Sequence, residues 1–264
     1  VDAAWVRTTA VRVRDEVQAH RATWQVWHLR AEAHRQVRAA NLPAAQVEQV
    51  VDLVTDQTLA LASVRLTPMG DGIEEPAELR RQDGSSVYEI AGSAVYTSED
   101  ILAAEQRLVH TAGLGDGHRA SGDAVALALL EQAANGVSLN PGQTALVTGM
   151  ATSGNRLQLA IAPAGTGKTT AMRALTAVWV EDGGTVLGLA PSAAAAAVLR
   201  EQTGATTDTL AKLTWSLAHD DLPDWARAID ARTLVVIDEA GMADTLSLDT
   251  AVQFVTARGG QVRL

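Results

Sequence analysis

A short apolar run, a loop of small residues and then Lys-Thr-Thr follow one another at residues 156–170, and this stretch constrains the fold most. The apolar run predicts a strand over 156–161, and Lys168 opens a predicted helix over 168–181. Backbone N–H groups of a tight loop between such elements converge on anions, and the helix N-terminus adds partial positive charge. The stretch therefore predicts a phosphate-binding loop, with an ordinary glycine-rich turn as the alternative.

The loop follows the pattern G-x-x-x-x-G-K-T except at its first position, where Ala162 replaces glycine. A small residue still permits a tight turn, so we treat this departure as minor. In the pattern, the lysine reaches the β- and γ-phosphates and the next hydroxyl binds Mg²⁺, which assigns these roles to Lys168 and Thr169. The predicted nucleotide contacts of the loop and helix are Ala162, Pro163, Ala164, Gly165, Thr166, Gly167, Lys168, Thr169 and Thr170.

A second motif is the β-branched run at 233–237, which ends in Asp238-Glu239 about 70 residues after Lys168. Ligands of open α/β sheets bind at the carboxyl ends of the strands. Asp238 is therefore expected to hold Mg²⁺, and Glu239 to orient and deprotonate an attacking water. Phosphoryl transfer needs little more, because it depends mainly on positioning and charge stabilisation. Alone, such a run is a common strand end; together with the loop it predicts an NTPase site.

Continuous apolar strands that alternate with helices predict a parallel sheet covered by helices on both faces. The expected fold is an α/β P-loop NTPase (RecA-like) domain over 93–264, preceded by a mainly helical extension over 1–92 with the start of a β-hairpin. Expected strands lie at 86–90, 94–97, 156–161, 185–190, 233–237 and 261–264. Expected helices lie at 8–40, 43–62, 98–111, 123–134, 139–152, 168–181, 193–202, 210–219, 225–229 and 246–256, and 203–209 is expected to be a polar connection.

Composition narrows the class of protein. The chain has no cysteine, which excludes disulfides and thiolate metal sites. No apolar run approaches the roughly 18 residues of a membrane span and no secretory signal is evident, so we expect a cytoplasmic protein. The net charge is +3 over residues 1–40, −10 over 41–140 and −3 over 141–264, so any nucleic-acid contact must be local. Because the first residue is Val, we expect the chain to be part of something longer.

Four segments in order carry a family resemblance: LNPGQ at 139–143, APAGTGKT at 162–169, LAPS at 189–192 and VIDEAGM at 236–242. They resemble the early motifs of superfamily 1 DNA helicases of the RecD-like type, in particular the helicase part of actinobacterial conjugative relaxases. The resemblance implies that ATP hydrolysis with Mg²⁺ is coupled to translocation along single-stranded DNA and its unwinding. It also implies that Gln143 reads the adenine edge; a solvent-facing glutamine is the alternative.

The resemblance further implies DNA contacts at Pro191, Ser192, Thr207 and Thr209, although serine and threonine in such loops are as often helix caps. It implies a second RecA-like domain in the same polypeptide, which supplies the arginine finger, so the present chain alone is not expected to unwind DNA. A non-translocating ATPase switch and an inactive DNA-positioning module are the other classes that stay open. The tryptophans offer stacking platforms in principle, but helix position favours core packing for Trp24, Trp27 and Trp179.

Overall fold

The computed structural model of the protein describes residues 1–66, 76, 80–81, 92–161 and 167–264. The chain forms two compact units, Val1–Ala103 and Ala104–Leu264. The division falls within helix α4 (Glu99–Ala112), downstream of the 92/93 boundary expected from the sequence. In the part of the chain that the structure describes, no helix combines the length and apolarity needed to cross a membrane.

The first unit is mainly helical, as expected. Its helices are α1 (Ala3–Gln18), α2 (Val26–Arg38) and α3 (Ala44–Ala62), followed by the short strand β1 (Val64–Arg65). A second strand, β2 (Tyr96–Thr97), pairs with β1 antiparallel. The other half of the expected hairpin, 86–90, lies outside the described residues. Fully buried aliphatic side chains from all three helices, such as Val13, Leu29 and Val51, form the core.

The single helix expected over 8–40 is wrong, because the chain leaves helical geometry between α1 and α2. Trp24 instead pairs with Tyr96, and each backbone N–H donates to the other's carbonyl at 2.8 Å. The Trp24 ring is 1% exposed, and its Nε1 donates to the Ser63 hydroxyl at 3.2 Å. The heptad-like spacing of apolar residues continued through the break, so periodicity alone could not reveal a pairing between residues so distant in sequence.

The second unit contains a five-stranded parallel sheet, so the expected α/β architecture is confirmed. Its strands run in the order β3-β7-β6-β4-β5. Strands β4 and β6 occupy the positions expected from the sequence. Strands that are covered on both faces consist of continuous apolar runs, and such runs are easy to recognise in a sequence. Their bounds are β3 (Leu157–Gln158), β4 (Thr185–Ala190), β5 (Thr206–Thr209), β6 (Thr233–Ile237) and β7 (Gln261–Arg263).

Helices cover both faces of this sheet and form a core on each. Alternate residues of β6 enter opposite cores: Leu234 and Val236 contact one, and Val235 and Ile237 contact the other. The first core is completed by α5 (Gly122–Ala134), α6 (Pro141–Thr152) and α7 (Lys168–Glu181). The second is completed mainly by α9 (Leu210–Ala218) and α11 (Thr245–Ala257); the remaining helices are α8 (Ala193–Thr203) and α10 (Asp224–Arg227).

Two strand expectations differ from the structure. Residues 203–209 were expected to be a polar connection, but Thr206–Thr209 forms the edge strand β5, parallel to β4. Three of its four residues are threonine, which is β-branched and suits a strand. Only Thr207 is buried, so no apolar run in the sequence indicates this strand. Strand β3 is shorter than the expected 156–161. Its register with β7 ends at Gln158, and one further hydrogen bond runs from Ala160 N to the Leu264 carbonyl at 2.9 Å.

Candidate nucleotide-binding site

A cavity of about 460 Å³ lies at the carboxyl ends of the sheet strands and brings the two sequence motifs together. Lys168, Asp238 and Glu239 all line it. The rest of its wall is largely apolar and comes from α6, α7 and the residues after β3, including Leu146, Met150, Leu159, Ile161, Met172 and Leu175. The loop Ala162–Thr166 itself lies outside the described residues. The lysine expected to bind phosphate, the aspartate expected to bind Mg²⁺ and the glutamate expected to act as the base therefore line one cavity.

Asp238 is held at the end of β6 by two backbone contacts. Its N–H donates to the carbonyl of Leu189 at 3.0 Å, which continues the pairing between β6 and β4. Its Oδ1 accepts the N–H of Glu239 at 2.9 Å. The carboxylate is thus held by its own backbone turn at the wall of the cavity.

Glu239 has left-handed backbone geometry, with a φ of 52°. Such a φ is uncommon for residues other than glycine, asparagine and aspartate, and it costs on the order of 1–3 kcal/mol. The turn is closed by a hydrogen bond from Met242 N to the Glu239 carbonyl at 2.8 Å. The side chain is exposed at the mouth of the cavity. A strained backbone that aims a carboxylate into a cavity is typical of functional sites.

Gly167 links the loop to α7 and has the left-handed backbone that its position requires, with a φ of 78°. A Cβ at this position would collide with Nε2 of Gln143, so that flexible side chain would have to move away. Lys168 is the first residue of α7, and Thr169 and Thr170 lie half-buried in its first turn. The first N–H groups of a helix have no partner within the helix, and Lys168 stands at this end of α7, which is where anions bind to helices.

Gln143 contacts the start of α7 directly, so the solvent-facing alternative is wrong. Its Oε1 accepts the N–H of Asn140 at 2.9 Å, and Asn140 Oδ1 accepts the N–H of Gln143 at 2.9 Å, which forms a capping box at the start of α6. Its Nε2 donates to the carbonyl of Gly167 at 3.1 Å. The expected contact with adenine stays a prediction, but the amide lies beside Gly167, the residue that precedes Lys168.

Arg263 is a site residue that sequence reasoning missed. Its side chain is 1% exposed and lines the cavity. The guanidinium donates from Nε and Nη2 to the Met150 carbonyl at 3.1 and 2.9 Å, and from Nη1 to the Asn155 carbonyl at 2.8 Å. Burial lowers its pKa to about 10, so it stays charged at neutral pH. A positive charge at the C-terminal end of α6 complements the helix dipole and fastens α6 to the sheet.

The donors present fit a hard divalent cation. The Thr169 hydroxyl and the Asp238 carboxylate are oxygen ligands, and Mg²⁺ commonly takes one or two carboxylates together with phosphate oxygens and water. Across the described ranges, no group of three or more His, Cys, Asp or Glu residues could hold a metal by itself. A bound nucleotide would therefore have to supply part of the coordination, as it does in many phosphoryl-transfer sites.

The four residues expected to contact DNA have different surroundings. Ser192 caps α8 and accepts the N–H of Ala195 at 3.1 Å, and Thr209 caps α9 and accepts the N–H of Lys212 at 3.0 Å. Pro191 is half-buried beside Ser192. Thr207 is 4% exposed, and its hydroxyl donates to the Ala196 carbonyl at 2.7 Å. Its burial leaves Thr207 no access to a phosphate, so we remove it from the expected DNA contacts.

Comparison with known proteins agrees with this geometry. Residues 138–264 match a family model described as an AAA domain, so fold and site together define a P-loop NTPase domain in this part of the chain. A segment of 109 residues is 32% identical to a probable conjugal transfer protein TraA of Sinorhizobium fredii (strain NBRC 101917 / NGR234). That segment spans 41% of this chain and 9% of the relative. These similarities connect the chain to AAA domains and to a conjugal transfer protein, and they do not single out the RecD-like type.

Proposed function

We propose that this chain binds ATP with Mg²⁺ and hydrolyses it to drive movement along single-stranded DNA. It would act as the first motor domain of a DNA helicase, within a relaxase-type protein of conjugation. The observation that carries this proposal is that Lys168, Asp238 and Glu239 line one cavity at the carboxyl ends of a parallel sheet. The segment similar to a conjugal transfer protein supports the biological setting.

Each of these residues has a defined part in the proposed reaction. The Lys168 ammonium would bind the β- and γ-phosphate oxygens, and Thr169 and Asp238 would hold Mg²⁺, which neutralises developing charge on those oxygens when bound. Glu239 would accept a proton from water as the water oxygen bonds to the γ-phosphorus and the bond to the β-phosphate oxygen breaks. ADP and inorganic phosphate are then the products.

The DNA contacts would lie at the same edge of the sheet as the nucleotide. Ser192 follows β4 and Thr209 ends β5, and both begin helices whose N-termini attract phosphate. Each hydroxyl already accepts a capping hydrogen bond, so its proton remains free to donate to a phosphate oxygen. A DNA strand that crosses these two helix ends would run along the edge of the sheet at which the nucleotide site lies.

The chain contains only two lysines, Lys168 and Lys212, which provide a matched pair of variants. We expect Lys168→Ala to abolish binding of a fluorescent ATP analogue, while Lys212→Ala binds it as the unchanged chain does. Normal nucleotide binding by Lys168→Ala would contradict the proposal.

The coupling to DNA needs a separate measurement. In the longer protein that the resemblance implies, we expect single-stranded DNA to stimulate ATP hydrolysis strongly and Glu239→Gln to remove that turnover while ATP still binds. Turnover without any stimulation by DNA would instead favour an ATPase switch that never translocates. Nucleotide binding with no turnover under either condition would favour a module that positions DNA passively.

A further inference from the structure

Helix α9 presents an aromatic side chain that its own packing does not explain. One side of the helix is buried through Leu210 and Leu213, which pack in the core that α11 completes. On the other side, Trp215 is 49% exposed, and its helix neighbours Ala211 and Ala218 are too small to shield it. The Trp24 and Trp179 rings, by contrast, are each 1% exposed. Trp27 is 47% exposed as well, and single exposed aromatic side chains are common, so the case for a ligand at Trp215 depends on the groups that flank its ring.

Two neighbours on the adjoining helical turns fix this ring. The His219 imidazole stacks on it at 4.1 Å between centroids with an interplanar angle of 19°, and His219 Nδ1 lies 2.8 Å from the Trp215 carbonyl oxygen. The Lys212 Nζ lies 5.0 Å from the ring centroid. Lys212 lies one turn before Trp215 and His219 one turn after it, so the two groups approach the ring from opposite directions along the helix. The indole is thus held by a ring from one direction and covered only by a flexible cation from the other.

We propose that Trp215 is a stacking platform for an unpaired base of single-stranded DNA, with Lys212 as the contact for an adjoining phosphate. The ligand would take the face that Lys212 now covers, and the displaced ammonium would remain within reach of the sugar–phosphate backbone. The proposal rests on the proposed function for the identity of the strand. It adds a base-binding element to helix-end contacts that reach only phosphates.

The position of Trp215 suits such a strand. Lys212 N donates to the Thr209 hydroxyl, so the cation belongs to the helix end already proposed as a phosphate contact. Trp215 lies six positions after Thr209, or about 9 Å along the helix axis at 1.5 Å per residue. A strand of a few nucleotides that starts at the helix end would therefore pass the ring.

Access to base faces favours a single strand over a duplex. Asp208, Asp220, Asp221 and Asp224 are close to Trp215 in sequence and do not provide the clustered cations that a duplex requires. Duplex binding depends on neutralising many phosphates with clustered cations, and base pairing hides the base faces. Stacking needs only one open aromatic face, and it tolerates any base sequence. The surface therefore matches an unpaired base better than a duplex.

The test compares two labelled oligonucleotides of equal length, oligo(dT) and a fully abasic strand, by fluorescence anisotropy at low salt. We expect the unchanged chain to bind oligo(dT) more tightly than the abasic strand. Trp215→Ala should weaken oligo(dT) binding about 5- to 150-fold, from the known strength of base–aromatic stacking, and leave abasic binding unchanged. Trp215→Phe should lie between. Trp27→Ala is the matched control, because Trp27 is 47% exposed in the first unit.

Lys212→Gln should weaken both strands and lower the slope of log affinity against log salt by about 0.7, as expected for one lost phosphate contact on a single strand. Equal oligo(dT) affinities for Trp215→Ala and the unchanged chain would overturn the platform, as would binding of neither strand. Binding of an unrelated protein through Trp215 without DNA binding would also overturn it. Nucleotide binding is measured separately, so loss of ATP binding with intact Trp215-dependent DNA binding would overturn only the ATPase proposal.

Discussion

The side-chain Nε2 of Gln143 donates a hydrogen bond to the backbone carbonyl of Gly167 at 3.1 Å, and this joins the start of α6 to the residue before Lys168. The same amide accepts from Asn140 N, so it is held at both ends. A residue expected only to read the base therefore also supports the loop. This dual contact has consequences that binding measurements can separate.

We expect Gln143→Ala to weaken ATP binding, and the comparison with GTP shows why. If the amide reads adenine, the variant should lose the preference for ATP over GTP by about tenfold or more, because a bidentate contact of this kind is worth about 1–3 kcal/mol. If the amide only supports Gly167, both nucleotides should weaken by the same factor. Equal ATP affinity in the variant and the unchanged chain would contradict both roles.

Gly167→Ala should impair the site through its backbone and its contact with Gln143. A Cβ on left-handed backbone costs about 1–2 kcal/mol, and the added methyl group would displace the Gln143 amide. We expect loss of nucleotide binding and a lower free energy of unfolding in urea. Gly122→Ala is the matched control, since a Cβ there meets nothing within 4 Å. The double variant Gly167→Ala with Gln143→Ala should be more stable than Gly167→Ala alone. Removal of the Gln143 side chain relieves the collision, while the strained φ remains.

Arg263→Ala should destabilise the fold much more than removal of an exposed arginine. It leaves the Met150 carbonyl without its buried donor, which costs about 1–3 kcal/mol, whereas the Asn155 carbonyl keeps the hydrogen bond from Gln261 Nε2 at 2.9 Å. Arg258, which lies over the Phe254 ring at an exposed helix end, supplies the control, and Arg258→Ala should cost about 0.5–1 kcal/mol. Similar unfolding free energies for the two variants would show that Arg263 does not fasten α6.

The sequence predicted the strands that lie between two layers of helices and missed those elements that depend on distant partners. Strands β4 and β6 are apolar throughout because both of their faces are buried, which is a purely local signal. Strand β5 consists of threonine and aspartate, and it forms a strand because it pairs with the edge of β4. The break after α1 exists because Trp24 pairs with Tyr96, and nothing near Trp24 in sequence signals that partner.

The site divides in the same way. The meeting of Lys168 with Asp238 was predictable, since the carboxyl ends of parallel strands converge at one edge. Arg263 was not predictable, because an arginine in a three-residue strand normally indicates exposure. Its burial depends on carbonyl oxygens at the end of α6, which are backbone groups and leave no mark in the sequence. Thr207 failed as a DNA contact for the same reason, since a backbone carbonyl of α8 takes its hydroxyl.

A pH dependence of stability should arise from Asp182, at the end of α7. Burial acts to raise its pKa, but hydrogen bonds from the Ser121 N–H at 3.0 Å and from His118 at 2.6 Å more than offset this and lower it. A carboxyl with a lowered folded-state pKa stabilises the fold above its unfolded pKa of about 3.9 and loses that contribution as pH falls further. The free energy of unfolding measured in urea should therefore fall below about pH 4.

Asp182→Asn should flatten this decline in the free energy of unfolding, because the variant has no carboxyl to protonate. Asp224→Asn is the control, since the Asp224 side chain is fully exposed and its partner Arg227 is also largely exposed. An unchanged acid limb in Asp182→Asn would place the pH dependence elsewhere in the fold.

Glu239 should show a conflict between stability and activity. Its left-handed backbone is easy for glycine and strained for any residue with a Cβ. We expect Glu239→Gly to be more stable to urea than Glu239→Ala by about 1 kcal/mol, because alanine keeps the strain and glycine removes it. Both variants should lack ATP turnover in the longer protein, since neither can accept the proton of the attacking water. If Glu239→Gly retained turnover, the carboxylate would not be the base, and the strain at this turn would need a different explanation.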